Sequence, residues 1–504
     1  MEILQNLTLG FSIALTPTNL IYCFFGVLAG TLIGVLPGIG PATGIAVLLP
    51  VAFTMNPTTS LITMAGIYYG AMYGGSTTSI LMNVPGESAS VMTCLDGYQM
   101  ALKGRAGPAL GISAISSFIA GTVGTVGLML LAPPLTALAL GFGPPEYFML
   151  MLFGLTTLAG IAGDSMLKAL ISGGLGLVLG TVGTDTPSGY LRFTYGIPDL
   201  STGISFVAVT VGLFALSELF INSERLIQRE PIRTSLAGLY PSREDLRRCR
   251  GAFTRGSLIG FVVGVLPGAG ATIASFLAYA AEKRASKHPE EFGAGAIEGV
   301  AAPEGANNAA AMGAMVPMLS LGIPGSGTTA IMLGALIMWG LRPGPLLFEK
   351  NPDLVWAVIA SMYIGNVMLL ILNLPLVGMW ASMLRVRYSI LAPLILVFCF
   401  IGVYSIDNSM FDVWIMVAAG VLGYVMRKFR YPVAPLVLAL VLGPMVETAL
   451  AQSLTMSQGN LAIFFTRPTA LTIFVLMVLF VLSPLVRWAL ARRRGAPASS
   501  VASA

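Results

Sequence analysis

The residues of this chain that could do chemistry gather around four Pro-Gly pairs. These are Pro37-Gly38, Pro85-Gly86, Pro267-Gly268 and Pro324-Gly325, each set inside an otherwise apolar stretch. Proline lacks a backbone N–H and interrupts a helix, so each pair marks a place where one helix stops and another starts. A starting helix presents unpaired N–H groups with a partial positive charge, and anions are stabilised there. Small hydroxyls and amides stand close by: Ser76, Thr77, Thr78, Asn83 and Ser88 in the first half, Asn307, Asn308, Ser326, Thr328 and Thr329 in the second. No Lys or Arg lies in these segments. An anionic ligand is therefore expected to be held by helix ends, hydroxyls and amides. The candidate set is Gly38, Gly40, Ser76, Thr77, Asn83, Pro85, Gly86, Ser88, Gly268, Gly270, Asn307, Asn308, Pro324, Gly325, Ser326 and Thr328. Gly, Ser and Thr also mediate close helix packing in membranes, but their clustering beside the breaks in both halves favours binding.

Two carboxylates share the neighbourhood. Glu87 directly follows Pro85-Gly86, where a helix dipole stabilises negative charge. It either caps its helix, the simpler reading, or holds a coupling ion, Na+ or H+. Glu304, and more weakly Asp96, pose the same question, whereas Asp164 and Glu218 sit near the ends of apolar runs and read as interfacial. Other chemistry is excluded by residue supply. The single histidine, His288, lies in a polar stretch, so neither a two-His metal site nor a Ser-His-Asp triad can be assembled. Cys23, Cys94, Cys249 and Cys399 show no C-x-x-C spacing and read as small apolar residues. With no H-E-x-x-H and no Asp-rich motif, no metal, no cofactor and no enzymatic activity are expected. A membrane-embedded enzyme, a channel or another type of carrier remain the competing classes.

The elements that must position these residues are set by composition. Of 504 residues, 56% are hydrophobic and 10% charged, against about 25% charged in a soluble domain. The fold class expected is an all-α polytopic membrane protein with a dozen or so spans. No basic residue precedes Lys103, so no cleavable signal peptide is expected. The chain is also internally repeated. Gly34–Gly40 reads GVLPGIG and Gly264–Gly270 reads GVLPGAG, an offset of 230, with Gly26 and Gly30 matching Gly256 and Gly260 upstream. Gly75 falls on Gly305 at the same offset, and Pro85-Gly86 falls on Pro324-Gly325 at 239, which one nine-residue insertion after Gly305 would explain.

Broken helices at membrane depth are tolerated only inside protein or beside a water-filled cavity. The expected first repeat covers 1–222, with a re-entrant hairpin at 22–55 and a broken helix at 60–102. A basic cytoplasmic linker follows at 223–256. The second repeat covers 257–486, with a hairpin at 257–284 and a broken helix at 304–340, and 487–504 form a basic cytoplasmic tail. Further spans are expected near 108–132, 146–163, 166–184, 203–222, 352–380, 388–405, 411–426, 432–450 and 468–486; residues 5–18 are too short and Pro-interrupted to assign. With the linker inside, 23 of the 27 Lys and Arg face the cytoplasm, as the positive-inside rule requires. Five spans between the hairpins give the two repeats opposite orientation. Inverted repeats with broken helices near the midplane are the signature of secondary transporters, here expected to work by an elevator mechanism.

The phrases GVLPGIGP, YGGSTTSILMNVPGES, PEGANNAAAMGAMVPMLSLGIPGSGTTA and GLRPGP resemble those of the large membrane subunit of the tripartite tricarboxylate transporters. The resemblance runs from about residue 20 to beyond 450, and its motif positions here are Pro37, Gly38, Gly40, Gly74, Gly75, Ser76, Thr77, Asn83, Pro85, Gly86, Pro303, Glu304, Asn307, Asn308, Pro324 and Gly325. It implies ion-gradient-driven uptake of a di- or tricarboxylate such as citrate across the bacterial inner membrane. It also implies a periplasmic solute-binding protein that delivers the substrate and a small membrane subunit; no nucleic acid is involved. Which carboxylate is carried does not follow from the resemblance.

Overall fold

The computed structural model describes residues 2–36, 39–161, 165–185, 189–224, 240–267, 270–383 and 388–479. Pro37, Gly38, Gly268, Asp164, residues 225–239 of the 223–256 linker and the 487–504 tail lie outside these. Among the described residues the chain is helical apart from short turns and one two-stranded ribbon, Gly183–Thr184 antiparallel to Leu191–Arg192. Six helices there are long and apolar enough to cross a membrane: Pro17–Val35, Ala106–Ala139, Phe206–Glu224, Pro352–Asn373, Met410–Lys428 and Ala434–Met456. The chain is an all-α, multi-pass membrane protein.

Two helices, Pro57–Met82 and Glu298–Leu321, are buried along nearly their whole length. Both are rich in small and apolar residues and their polar side chains form no solvent-facing stripe, as in a helix surrounded by others. We call them the first and second central helices. Each carries a helical hairpin on its side. The first hairpin is Pro17–Val35 and Pro41–Ala52; the second is Arg250–Val265 and Gly270–Ala285.

Both hairpins dock through glycines four residues apart. A Cβ on Gly26, Gly30 or Gly34 would fall 2.2–2.5 Å from the carbonyl oxygens of Thr63, Ile67 and Ala71. On Gly256, Gly260 and Gly264 it would fall 2.4–2.6 Å from those of Ala302, Ala306 and Ala310. Bare Cα atoms are what let the backbones meet, the small-xxx-small packing of membrane helices.

This packing corrects the expected alignment. The hairpins match at an offset of 230, but their central-helix partners match at 239, from Thr63 to Ala302 onward. Both central helices end on a left-handed residue, Asn83 (φ 54°) and Gly322 (φ 72°), again 239 apart. Beyond the break, a Cβ on Gly86 would lie 2.6 Å from Gly75 Cα, and one on Gly325 would lie 2.7 Å from Ala314 Cα. Gly75 therefore corresponds to Ala314, not Gly305, and the nine extra residues precede the second central helix rather than follow Gly305. Gly305 is glycine for another reason: a Cβ there would meet Ser116 Oγ at 2.8 Å.

Some boundaries also move. The second hairpin begins at Arg250 instead of 257, because Arg255 reaches across it to Glu282 at 2.6 Å. The second central helix begins at Glu298, not 304, and the 352–380 span is two helices, Pro352–Asn373 and Val377–Met383. Residues 2–14 form a helix whose Gly10 abuts the Trp356 carbonyl. At the basic-loop end, Arg105 pairs with Asp245 at 2.6 Å, and Arg248 pairs with Glu291 at 2.6 Å and Glu298 at 2.9 Å.

Candidate functional site

At the first break the chain leaves the central helix at Asn83, passes Pro85-Gly86, and restarts as a short 3-10 turn, Ser88–Ser90, leading into the helix Val91–Leu102. Glu87 caps this restart: its Oε2 accepts from the Ala89 N–H at 3.0 Å. The cap leaves one oxygen free for the other half. Glu87 Oε1 accepts from Asn307 Nδ2, on the second central helix, at 3.0 Å. One helical turn before Asn307 stands Glu304, fully buried, accepting the hydroxyls of Ser76 on Oε2 and Thr93 on Oε1. Ser79 and Ser90 hydroxyls meet at 2.9 Å beside it. Among the described residues neither carboxylate has a basic partner.

The second break is built alike from neutral groups. Ser326 caps the helix Gly327–Met338 and exchanges hydrogen bonds with Thr329, whose hydroxyl accepts from the Ser326 N–H at 2.8 Å. The Tyr68 hydroxyl, from the first central helix, lies 3.1 Å from Ser326 Oγ.

The remaining candidates divide by position. Gly40 and Gly270 head the second arms of the two hairpins, and a Cβ on either would meet nothing within 4 Å among the described residues. Ser88 is exposed and its hydroxyl lies 2.9 Å from that of Thr272, near the tip of the second hairpin. Asn83 is exposed, while Pro85 is half-buried. Thr77, Gly86, Pro324, Gly325 and Thr328 are buried at the breaks, and Thr78 donates to the Val35 carbonyl at 2.6 Å. Asn308 faces elsewhere. Its amide donates to Ser117 Oγ at 2.8 Å and to the Glu304 carbonyl at 3.2 Å, locking the second central helix onto Ala106–Ala139.

Asp96 and Glu218 have local work. Asp96 Oδ1 accepts from the N–H groups of Gly293, Gly295 and Ala296 at 2.8 Å each, and Oδ2 from the Tyr279 hydroxyl at 2.8 Å. Glu218 pairs with Arg427. A cavity of 240 Å³ lies apart from the breaks, lined by Arg192, Glu447 and Thr448 among others. Its cation is already neutralised: Arg192 makes a two-pronged contact with Glu447 at 2.7 and 2.8 Å and pairs with Asp185 at 3.0 Å.

The tripartite tricarboxylate transporter TctA family model matches residues 20–438, most of the chain and both breaks. The chain belongs to the TctA family. This is a transporter family, that of the membrane subunit of tripartite carriers, so membership implies partner subunits. The chain is 51% identical over 490 residues, 97% of its length and 98% of the relative's, to an "uncharacterized 52.8 kDa protein in TAR-I ttuC' 3'region" of Agrobacterium vitis. It is 47% identical over 231 residues to an "uncharacterized protein in TAR-II ttuC' 3'region" of the same organism, covering 45% of this chain and 96% of that one. No solved structure matches the chain.

Sequence reasoning missed Tyr68, Thr93, Ser79, Ser90 and Thr272. The first was within reach. Extending the 239 offset of the Pro-Gly pairs backward, instead of anchoring on Gly75 and Gly305, sets Tyr68 opposite Asn307.

Proposed function

We propose that this TctA-family chain carries a di- or tricarboxylate, citrate-like, across the bacterial inner membrane, driven by a Na+ or H+ gradient. The substrate arrives from a periplasmic solute-binding protein, and a small membrane subunit completes the carrier. The observation that carries this reading is the pair of helix starts at the breaks, each capped by its own residue, Glu87 or Ser326, each cap met by a side chain of the other half, and neither with a basic partner among the described residues. A carboxylate at membrane depth loses hydration that must be replaced. Helix starts, each worth up to about 2 kcal/mol when partly buried, and charge-assisted hydrogen bonds of about 1.5–3 kcal/mol each are the compensation on offer. Ser326, the Gly327 and Thr328 N–H groups, and the starts at Gly40 and Gly270 are the best placed. Pro37-Gly38 and Gly268 precede these two starts in the sequence. Asn83 and Ser88 line the approach, Ser76, Asn307 and Glu304 support it from behind, and Glu87 and Glu304 hold the coupling ion.

Matched hairpin packing at offsets of 230 and 239 supports two repeats, and the odd number of spans expected between the hairpins makes them inverted. Each hairpin with its central helix moves as a transport domain against a scaffold of unbroken spans. Reconstituting the complex in liposomes tests the function. Citrate accumulation that requires an imposed ion gradient, and that falls at least tenfold in apparent affinity in Ser326→Ala, is expected; gradient-independent equilibration, or an unaltered Ser326→Ala, contradicts it. A cysteine near 284 labelled only from the periplasm would remove the inverted arrangement.

A further inference from the structure

Each central helix reaches across to the helix start of the other half. Tyr68 meets Ser326, and Asn307, 239 positions after Tyr68, meets Glu87, 239 positions before Ser326. The two crossed pairs occupy equivalent places but differ in chemistry. One is a pair of neutral hydroxyls. The other is a carboxylate with an amide, backed by Glu304, Ser76 and Thr93. At the equivalents of those three the chain has Ala65, Met315 and Met332, all buried. The oxygen-rich set is thus confined to the first break.

Resting on the transport reading above, we propose that the two breaks have divided the labour: the first is a Na+ site formed by Glu87 and Asn307 with the Glu304 charge behind them, and the second is left to the substrate carboxylate. An independent observation at Asn307 points to the ligand. The residue is fully buried, its Nδ2 is aimed at Glu87, and its Oδ1 has no hydrogen-bond partner among the described residues. A half-turn of the amide plane, with the side chain otherwise in place, sets Oδ1 facing Glu87 Oε1. Two oxygens from opposite halves then flank one small cation, and the orphaned acceptor is satisfied. Hard oxygen donors of this kind suit an alkali ion. The other three carboxylate oxygens already receive a donor, from the Ala89 N–H and from the Ser76 and Thr93 hydroxyls, so the cation is placed at Glu87 Oε1, the oxygen that the turned amide faces. Since Glu87 and Asn307 come from different halves, the ion would close the first break against the second central helix.

The test uses the purified full-length chain without substrate. Its thermal midpoint is followed while NaCl replaces choline chloride at constant ionic strength. The expected result is a saturable rise with Na+. Asn307→Ala and Glu87→Gln each raise the half-saturating Na+ concentration at least tenfold, while Tyr68→Phe, at the second break, leaves it unchanged. Should Asn307→Ala fail to fold, Glu87→Gln, which preserves volume and an acceptor, gives the same reading. Equal midpoints in Na+ and choline, or a Na+ response unaltered in both first-break variants, would overturn the proposal. A Na+ response without carboxylate transport would keep the site and remove the transport reading; transport without a Na+ response would do the opposite.

Discussion

Replacing Glu304 by Gln separates a functional charge from a structural one. Glu304 is fully buried, accepts two hydroxyls, from Ser76 and Thr93, and has no basic partner among the described residues. Bonds to an ionised acceptor contribute about 1.5–3 kcal/mol each and bonds to a neutral one about 0.5–1.5, so two bonds weakened by the amide lose about 2–3 kcal/mol. Removing a buried charge returns several kcal/mol of desolvation. The second effect is at least as large, so Glu304→Gln should be as stable as the parent. Glu304→Ala should not be. It strands two buried hydroxyls at about 1–3 kcal/mol each and leaves a cavity costing about 2–5 kcal/mol, a gross loss of about 4–11 kcal/mol that the same desolvation return of several kcal/mol offsets only in part. Detergent thermal unfolding, run beside gradient-driven citrate uptake, reads both. The expected pattern is a Gln variant with a parental midpoint and lost ion dependence, and an Ala variant with a large fall in midpoint. Equal destabilisation in both, or a Gln variant with parental ion dependence, would refute the reasoning.

Asp96→Ala orphans three backbone N–H groups held at 2.8 Å, for a loss of about 3–9 kcal/mol at about 1–3 each; hydrogen exchange at 293–296 should rise with a fall in the thermal midpoint. Gly30→Val forces a side chain to within 2.5 Å of the Ile67 carbonyl oxygen, an overpacking worth at least about 1–3 kcal/mol, and the thermal midpoint should fall while Gly40→Ala, whose Cβ meets no described residue within 4 Å, leaves it unchanged. The Arg248 guanidinium, by its hydrogen bond, holds the Glu291 carboxyl below the usual carboxylate range. A depressed folded value means stabilisation present above the ordinary range, about 4.3, and lost as pH falls through the folded value. Glu291→Gln should therefore be less stable than the parent at neutral pH, with the gap closing in acid; a gap independent of pH would contradict this.

Much of the fold was legible because membrane burial leaves a coarse signature. Long apolar runs marked the spans, Pro-Gly pairs marked the breaks, and basic residues marked the loops. What escaped notice was finer. A shared glycine in both central helices, Gly75 and Gly305, suggested a register that backbone contact shows to be nine residues out, since one packs against Gly86 and the other against Ser116. Similarity of residue type could not tell these neighbours apart. Asn307 and Asn308 read alike in sequence, yet a 100° step around the helix turns one to Glu87 and the other to Ser117. Asn308→Ala is accordingly a loss of helix packing in this structure. Tyr68 drew no attention because a tyrosine in an apolar run reads as core, and only its hydroxyl contact with Ser326 sets it apart.

The central claim is that an anion is held at the second break by a helix start and neutral hydroxyls. Its most direct test is equilibrium binding of citrate to the purified complex, with Ser326→Ala and Thr329→Val compared with Glu87→Gln at saturating Na+. The account predicts citrate affinity reduced at least tenfold in the first two, each losing about 1 kcal/mol of helix cap, and a loss in the third that Na+ above the parent's saturating concentration partly restores. Parental citrate affinity in both second-break variants would contradict it.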